Sequence, residues 1–225
     1  MNRGDMEGVK KKGKVCVTGG SGYLGSWMVM RLLQFGYFVN TTIRSHPDRK
    51  KDVSYVTNLP GAQERLHIFY VDLDKPEGFN AAIEGCIGVF HVAHPIDFII
   101  HKYVSFVLVL TGHQNYNMSY PPYVPFVHVD DVIDAHIFLL ENPNAKGRYI
   151  CSAVEITRVK LAEFLSTRYP EFQNQINEYT WASSEEVKFP RYSSKKLLET
   201  GFKYKHGLEE MYDGAIACCK QRSIL

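Results

Sequence analysis

A glycine-rich segment near the N-terminus constrains the fold of this 225-residue chain more than any other feature. Residues 18–25 (TGGSGYLG) follow the apolar residues Val15, Cys16 and Val17 and lead into a segment with helical spacing of apolar residues. Glycines at a strand-to-helix turn allow a tight bend and a close approach of the backbone to a ligand. The N-H groups and positive dipole end of the following helix stabilise a phosphate. The segment therefore predicts a dinucleotide pyrophosphate site, with a purely structural turn as the alternative.

The end of the next predicted strand, residues 37–43, indicates which dinucleotide binds. An NAD site usually has an acidic residue there for the ribose 2'-hydroxyl, whereas this chain has Arg44, which suits a 2'-phosphate. Arg49, Lys50 and Lys51 follow one short loop later and could add positive charge around the same phosphate, although a charge run is also typical of a solvated surface. The sequence therefore predicts NADP rather than NAD.

Strands and helices alternate through the first half of the chain, which predicts an α/β fold with a doubly wound parallel sheet of the Rossmann-like, NAD(P)-binding type. The apolar patterns there predict strands at 14–18, 37–43, 66–71 and 88–93 and helices at 22–35, 48–59 and 76–83. In the second half they predict an irregular connection at 116–125, a strand at Val127, a short strand at 148–150, and helices at 130–141, 159–168 and 208–219.

Composition argues against several classes of partner. The 26 basic and 24 acidic residues nearly balance, and no basic stripe interleaved with aromatic residues suggests nucleic-acid binding. Residues 1–14 lack the apolar core of a secretory signal, and no apolar run approaches the roughly 18 residues of a membrane helix. The five cysteines form no C-x-x-C pair. We therefore expect reduced thiols, a cytoplasmic location, no nucleic acid and no membrane.

Two histidine groups raise the question of a metal site. His91 and His94 are three residues apart, and His128 lies just before Asp130 and Asp131. Both groups fall at a strand end or a strand-to-helix junction, where Asp130 or Asp131 can cap a helix. The sequence therefore predicts no metal site at either histidine group.

Several longer strings resemble one family. They include VCVTGGSGYLGSW, TTIRSHPDRKKDV, GVFHVAHPIDF, FVHVDDVIDAHIFLLEN and KKLLETGFKYKHGLEEMYDGAIACCK. They are similar to plant NADPH-dependent reductases of the extended short-chain dehydrogenase family, the group of vestitone and dihydroflavonol reductases. The resemblance implies hydride transfer between NADP and a small flavonoid or phenylpropanoid substrate. It implies cofactor contacts at Gly19, Gly22, Tyr23, Leu24 and Gly25 for the pyrophosphate, Arg44 and Lys51 for the 2'-phosphate, Asp72 and Leu73 for adenine, and Val92 and Ala93 near the nicotinamide ribose.

The resemblance is interrupted after residues 95–98 (PIDF). The family continues there with a strand carrying a catalytic serine, a helix carrying Tyr-x-x-x-Lys and a sixth strand, but only 30 residues separate Pro95 from Phe126. A single strand-crossover-strand unit takes roughly 30 residues or more, so the catalytic segment is predicted to be missing. Tyr192 and Lys196 have the family's spacing, but they lie in the C-terminal string and are interpreted as a coincidence. No catalytic residue is assigned.

This interruption predicts a truncated fold in three parts: an NADP-binding portion at 12–98, an irregular junction at 99–126 and a remnant substrate lobe at 127–225. The fourth strand becomes an open sheet edge, which predicts self-association unless residues 106–110 fold back to cover that edge. Two functions stay open. The chain is either a reductase of this family with impaired activity, or a non-catalytic splice form or fragment that binds only nucleotide or a partner subunit.

Overall fold

The computed structural model describes residues 12–44, 52–72, 74–93, 123–178 and 191–223. Packing divides the chain into two compact units. The first contains the described residues up to 93 together with 136–143, and the second contains 123–135 and 144–223. The predicted boundary at residue 98 lies outside the described residues.

The first unit is built on a parallel sheet with the strand order β3-β2-β1-β4, and its flanking helices are mostly short. This arrangement confirms the predicted Rossmann-like α/β fold. The strands are β1 Lys14–Thr18, β2 Phe38–Arg44, β3 Leu66–Val71 and β4 Gly88–His91. The helices are α1 Tyr23–Gln34, α2 Ser54–Thr57, α3 Ala62–Arg65 and α4 Asn80–Ile83, the last preceded by a 3-10 turn at Pro76–Phe79.

Helix α1 connects β1 to β2, and its C-terminal end is specified by the local sequence. Its inner face buries Met28 and Leu32 completely, against a central strand whose Val17 is also fully buried. Gly36 ends the helix with a φ of +87°, a conformation that costs glycine little. The N-H groups of Gly36 and Tyr37 donate to the carbonyls of the last helical turn, which forms a Schellman motif. The chain therefore turns directly into β2.

The second unit combines a two-stranded antiparallel sheet with helices. Its strands are β5 Tyr123–Phe126 and β6 Val154–Thr157. Its helices are α5 Val129–Glu141, whose residues from His136 onward group with the first unit, α6 Arg158–Arg168, a 3-10 turn at Pro170–Phe172, α7 Gln173–Glu178, α8 Lys195–Leu198 and α9 Leu208–Gln221. Its core contains Leu161, Leu165, Tyr169, Ile176, Tyr212 and Ile216.

Three sequence predictions about this unit are wrong. Residues 148–150 form no strand, and β6 lies at Val154–Thr157 instead. Residues 123–125 of the predicted irregular connection lie in β5, which ends before Val127, while residues 116–122 lie outside the described residues. Pro125 is tolerated because a two-stranded sheet consists only of edge strands. Among the helices in the described part of the chain, none combines the length and apolar character needed to cross a bilayer.

Candidate functional site

The glycine-rich loop lies between β1 and α1 and is attached to the end of β2. The N-H groups of Gly19 and Gly20 donate to the carbonyl oxygen of Thr42 at 3.0 and 3.1 Å. The N-H of Gly22 donates to the carbonyl of Gly19 at 2.9 Å and closes the turn. The loop therefore has a defined shape at the carboxyl end of the sheet, which is where this class of fold binds its ligands.

The glycines are required by close backbone approaches. A Cβ added at Gly20 would overlap the hydroxyl oxygen of Thr41, and one at Gly25 would overlap the carbonyl of Gly19. Gly19 has a φ of +75°, and its added Cβ would lie 2.9 Å from the Cα of Ala93. The loop can keep this shape only without side chains at these positions.

The N-terminus of α1 has the character of an anion site. Gly22 is its N-cap in an extended conformation, so no side chain caps the helix, and the first turn contains no acidic residue. The positive end of the helix dipole is therefore not offset by a carboxylate of that turn. The structure brings together the five residues predicted to contact the pyrophosphate, namely Gly19, Gly22, Tyr23, Leu24 and Gly25.

Thr18 connects the end of β1 to the end of β4. Its hydroxyl lies 2.8 Å from Nδ1 of His91 and accepts a hydrogen bond from the N-H of Ala93 at 3.3 Å. Val92 and Ala93, predicted near the nicotinamide ribose, therefore lie beside the glycine loop. β4 itself ends at His91, two residues earlier than predicted. Sequence reasoning assigned no role to the Thr18 and His91 pair.

Arg44 and Asp72 lie on neighbouring strand ends. Arg44 is the exposed last residue of β2 and pairs in register with Val71, the residue just before Asp72. The Asp72 carboxylate accepts the N-H of Asp74 at 3.1 Å, so it shapes its own turn. The other two residues predicted in this region, Lys51 and Leu73, lie outside the described residues.

Helix α2 contributes a contact that sequence reasoning missed. The hydroxyl of Tyr55 donates to the carbonyl oxygen of Ser21 in the glycine loop at 2.7 Å. Burial, and secondarily the charge of Asp52, raises the pKa of Tyr55, which therefore remains a donor at neutral pH. Asp52 accepts the N-H of Ser54 at 2.9 Å, and this bond lowers the pKa of Asp52. No local pattern at Tyr55 indicates Ser21 as its partner.

Tyr192 and Lys196 do not share a helix. Tyr192 is half exposed and precedes α8, which contains Lys196. The Lys196 ammonium donates to the carbonyls of Lys146 and Arg148 at 2.6 and 3.1 Å and lies 4.1 Å from the ring centroid of Tyr149. The contacts of Lys196 are therefore with the 146–149 loop.

Comparison with known proteins identifies the family. The model of the NAD dependent epimerase/dehydratase family matches residues 15–103. Vestitone reductase of Medicago sativa is 32% identical, in an alignment that covers 95% of this chain and 99% of the relative. The chain belongs to this family of extended short-chain dehydrogenases. Dihydroflavonol 4-reductase of Callistephus chinensis is 30% identical, over 94% of this chain and 87% of the relative.

The solved structure of alfalfa vestitone reductase agrees with this assignment to the extended short-chain dehydrogenases. It matches this chain with a TM-score of 0.73 at 31% identity, and the match covers 95% of this chain and 100% of the alfalfa protein's chain. The sequence alignment to vestitone reductase extends over 327 positions, which exceeds the 225 residues present here. The relative therefore contains residues with no counterpart in this chain. The family and fold predicted from the sequence are confirmed.

Proposed function

We propose that the chain binds NADP at the glycine loop. The observation that carries the proposal is Arg44, which ends β2 at the same edge of the sheet as the N-terminus of α1. A guanidinium pairs with a phosphate through two parallel hydrogen bonds and does not suit the bare ribose hydroxyls of NAD. A pyrophosphate at α1 and a 2'-phosphate at Arg44 belong to the same dinucleotide.

Other residues at the carboxyl edge of the sheet also fit this cofactor. In the proposed complex the N-H groups at the start of α1 hold the pyrophosphate, and Asp72 lies beside the adenine. The bond from Ala93 to Thr18 fixes the backbone where the nicotinamide ribose binds. Bound NADPH supplies the hydride in this family, and the protein orients the cofactor and the carbonyl.

We further propose that this chain is impaired in carbonyl reduction of flavonoid or phenylpropanoid substrates. The forming alkoxide needs a proton donor, and general acid catalysis is typically worth about a hundredfold to ten-thousandfold in rate. The short interval after Pro95 and the longer alignment of vestitone reductase support the loss of the serine and Tyr-x-x-x-Lys segment. Because Lys196 is held by other groups, the pair with Tyr192 does not replace that segment. The same contacts favour the second candidate, a non-catalytic product that binds nucleotide or a partner subunit.

Cofactor titration tests the binding proposal. We expect NADP to bind more tightly than NAD, and Arg44→Ala to remove that preference. Lys203→Ala removes an exposed cation of the second unit and serves as the matched control, for which the preference should persist. Equal affinity of the unmodified chain for the two cofactors would show that the assignment of Arg44 is wrong.

A turnover assay tests the second part of the proposal. We expect no NADPH oxidation above background with flavonoid ketones or hydroxycinnamoyl thioesters. Turnover by the unmodified chain that disappears in Tyr192→Phe would contradict the proposal and assign a catalytic role to Tyr192. Retained NADP binding without turnover would separate binding from catalysis.

We propose that the chain is located in the cytoplasm. All five cysteines are free thiols, and Cys16 and Cys219 are buried. Burial, followed by the charge of Cys86, raises the pKa of Cys16 to about 11, so this thiol is protonated and unreactive at neutral pH. Free thiols are typical of a reducing compartment.

A further inference from the structure

We propose that the second unit contains a site for a divalent transition-metal ion of the Zn²⁺ type, formed by His128, Asp130 and His206. One ligand atom of each side chain lies within 4.8 Å of the corresponding atoms of the other two. All three residues are half-buried, so the ligands are partly shielded but remain accessible to an ion from solvent. The proposal does not depend on nucleotide binding.

The fold brings the three side chains together from two helix starts. His128 directly precedes α5, and its Nδ1 accepts the N-H of Asp130 at 3.2 Å. The carboxylate Oδ2 of Asp130 lies 3.8 Å from the same nitrogen. His206 lies just before α9, and its ring stacks on that of His128 with 4.1 Å between the centroids. Two imidazoles and one carboxylate therefore converge.

Asp131 contacts both the backbone and the ring of His206 and so fixes its orientation. Its carboxylate is fully buried and accepts the N-H groups of Lys205 and His206, both at 3.0 Å. Nδ1 of His206 lies 3.3 Å from Asp131 Oδ1, although this buried nitrogen makes no hydrogen bond of good geometry within the described residues. The adjacent negative charge favours the proton on Nδ1 and leaves the lone pair of Nε2 for a metal ion. A carboxylate behind a metal-ligating histidine is a common arrangement.

The donor set selects the ion. Zn²⁺ binds imidazole nitrogen and carboxylate oxygen at about 2.0 to 2.2 Å, and three protein ligands leave a fourth position for water. Ligand atoms around such a tetrahedral ion lie about 3.3 Å apart, so the 3.8 Å from His128 Nδ1 to Asp130 Oδ2 is close to the required separation. Because this nitrogen has one lone pair, the ion replaces the Asp130 N-H that Nδ1 accepts in the structure. Binding requires the stacked ring of His206 to turn toward the ion. Ca²⁺ and Mg²⁺ prefer oxygen ligands and are not expected here.

The test uses the full chain without a histidine tag, after removal of metals with a chelator. Co²⁺ titration followed by visible absorption, and Zn²⁺ titration calorimetry, should each show one equivalent of saturable binding. His206→Gln and His128→Gln should each weaken that site at least about tenfold. Asp130→Asn, which keeps the shape of the side chain, should also weaken it. His67→Gln removes an exposed histidine on β3 and should leave binding unchanged.

Two results would overturn the proposal. One is the absence of saturable Co²⁺ or Zn²⁺ binding by the unmodified chain, which requires no variant to interpret. The other is binding of unchanged strength in His128→Gln and His206→Gln. Circular dichroism melts of each variant establish that a loss of binding belongs to a folded protein. In the folded unmodified chain, saturating Zn²⁺ should raise the melting temperature, because an ion that binds only the native state stabilises it.

Discussion

The Tyr55 hydroxyl and the Ser21 carbonyl oxygen lie 2.7 Å apart, and their hydrogen bond joins helix α2 to the middle of the glycine loop. The N-H groups of Gly19 and Gly20 also donate to the carbonyl oxygen of Thr42, at the end of β2. Contacts on two sides limit the conformations of the loop before a ligand arrives. A preorganised loop loses less conformational freedom on binding.

Tyr55→Phe removes the bond to Ser21 and keeps the ring. A neutral hydrogen bond contributes about 0.5 to 1.5 kcal/mol net, so we expect dinucleotide affinity to fall about two- to tenfold. NADP and NAD should weaken by the same factor, because Tyr55 acts on the pyrophosphate loop and not on the 2'-phosphate. Calorimetric titration of both cofactors measures this, with Tyr70→Phe, an exposed tyrosine of β3, as the control. A change in the ratio of the two affinities would contradict this role.

Gly20→Ala should destabilise the first unit. The added methyl group would overlap the Thr41 hydroxyl, which donates to the carbonyl of Val17 at 2.9 Å. Overpacking of this kind costs about 1 to 3 kcal/mol, to be measured by urea unfolding. Gly214→Ala is the matched control of opposite sign, since Gly214 lies inside α9 with nothing within 4 Å of an added Cβ. It should stabilise the chain by about 0.5 to 1 kcal/mol.

Asp213 should make stability depend on acid pH. Arg168 donates to both of its oxygens, at 2.9 and 2.6 Å, and these bonds, with that of Tyr169, lower the pKa of Asp213 to about 2. In the unfolded chain the Asp213 carboxyl has a pKa of about 4. These bonds therefore stabilise the folded state fully above that pH, and their contribution is lost as the pH falls toward 2.

Asp213→Asn should therefore lower the urea midpoint at pH 7, with a difference from the unmodified chain that shrinks between pH 4 and pH 2. Glu199→Gln, in the exposed pair with Lys195, should have little effect at any pH. A difference for Asp213→Asn that stays constant with pH would mean that the substitution acts through packing and not through charge.

The edge of strand β4 that faces away from β1 should promote self-association. Among the strands in the described ranges, β1 is the one paired with β4, and Val89 on β4 is about half exposed. A second copy of the chain can pair with such an edge. Val89→Lys should reduce the apparent mass seen by light scattering at high concentration, whereas Val159→Lys on α6, an equally exposed position, should not. A monodisperse monomer for the unmodified chain would rule out this edge as an interface.

Some elements that depend on neighbours in sequence were predicted well, whereas the helix predicted at 48–59 is, in the described part of that range, only the four-residue α2. β1 and β3 have the predicted bounds, and α1 and α9 differ from prediction by one or two residues at their ends. The glycine loop was located because a tight turn needs glycine whatever surrounds it. Alternating apolar positions and turn residues act over a few residues, so the sequence contains this information directly.

Contacts between distant segments were decided by the tertiary structure. Sequence reasoning made Asp130 or Asp131 a helix cap, but His128 accepts the N-H at the start of α5, and Asp131 instead binds the backbone before α9. The 148–150 segment has strand-like residues, yet its Arg148 carbonyl accepts from Lys196 instead of a neighbouring strand. The pairing of His128 with His206, and of Tyr55 with Ser21, leaves no periodic trace in the sequence. Burial and long-range hydrogen bonding select these partners, and both exist only once the chain has folded.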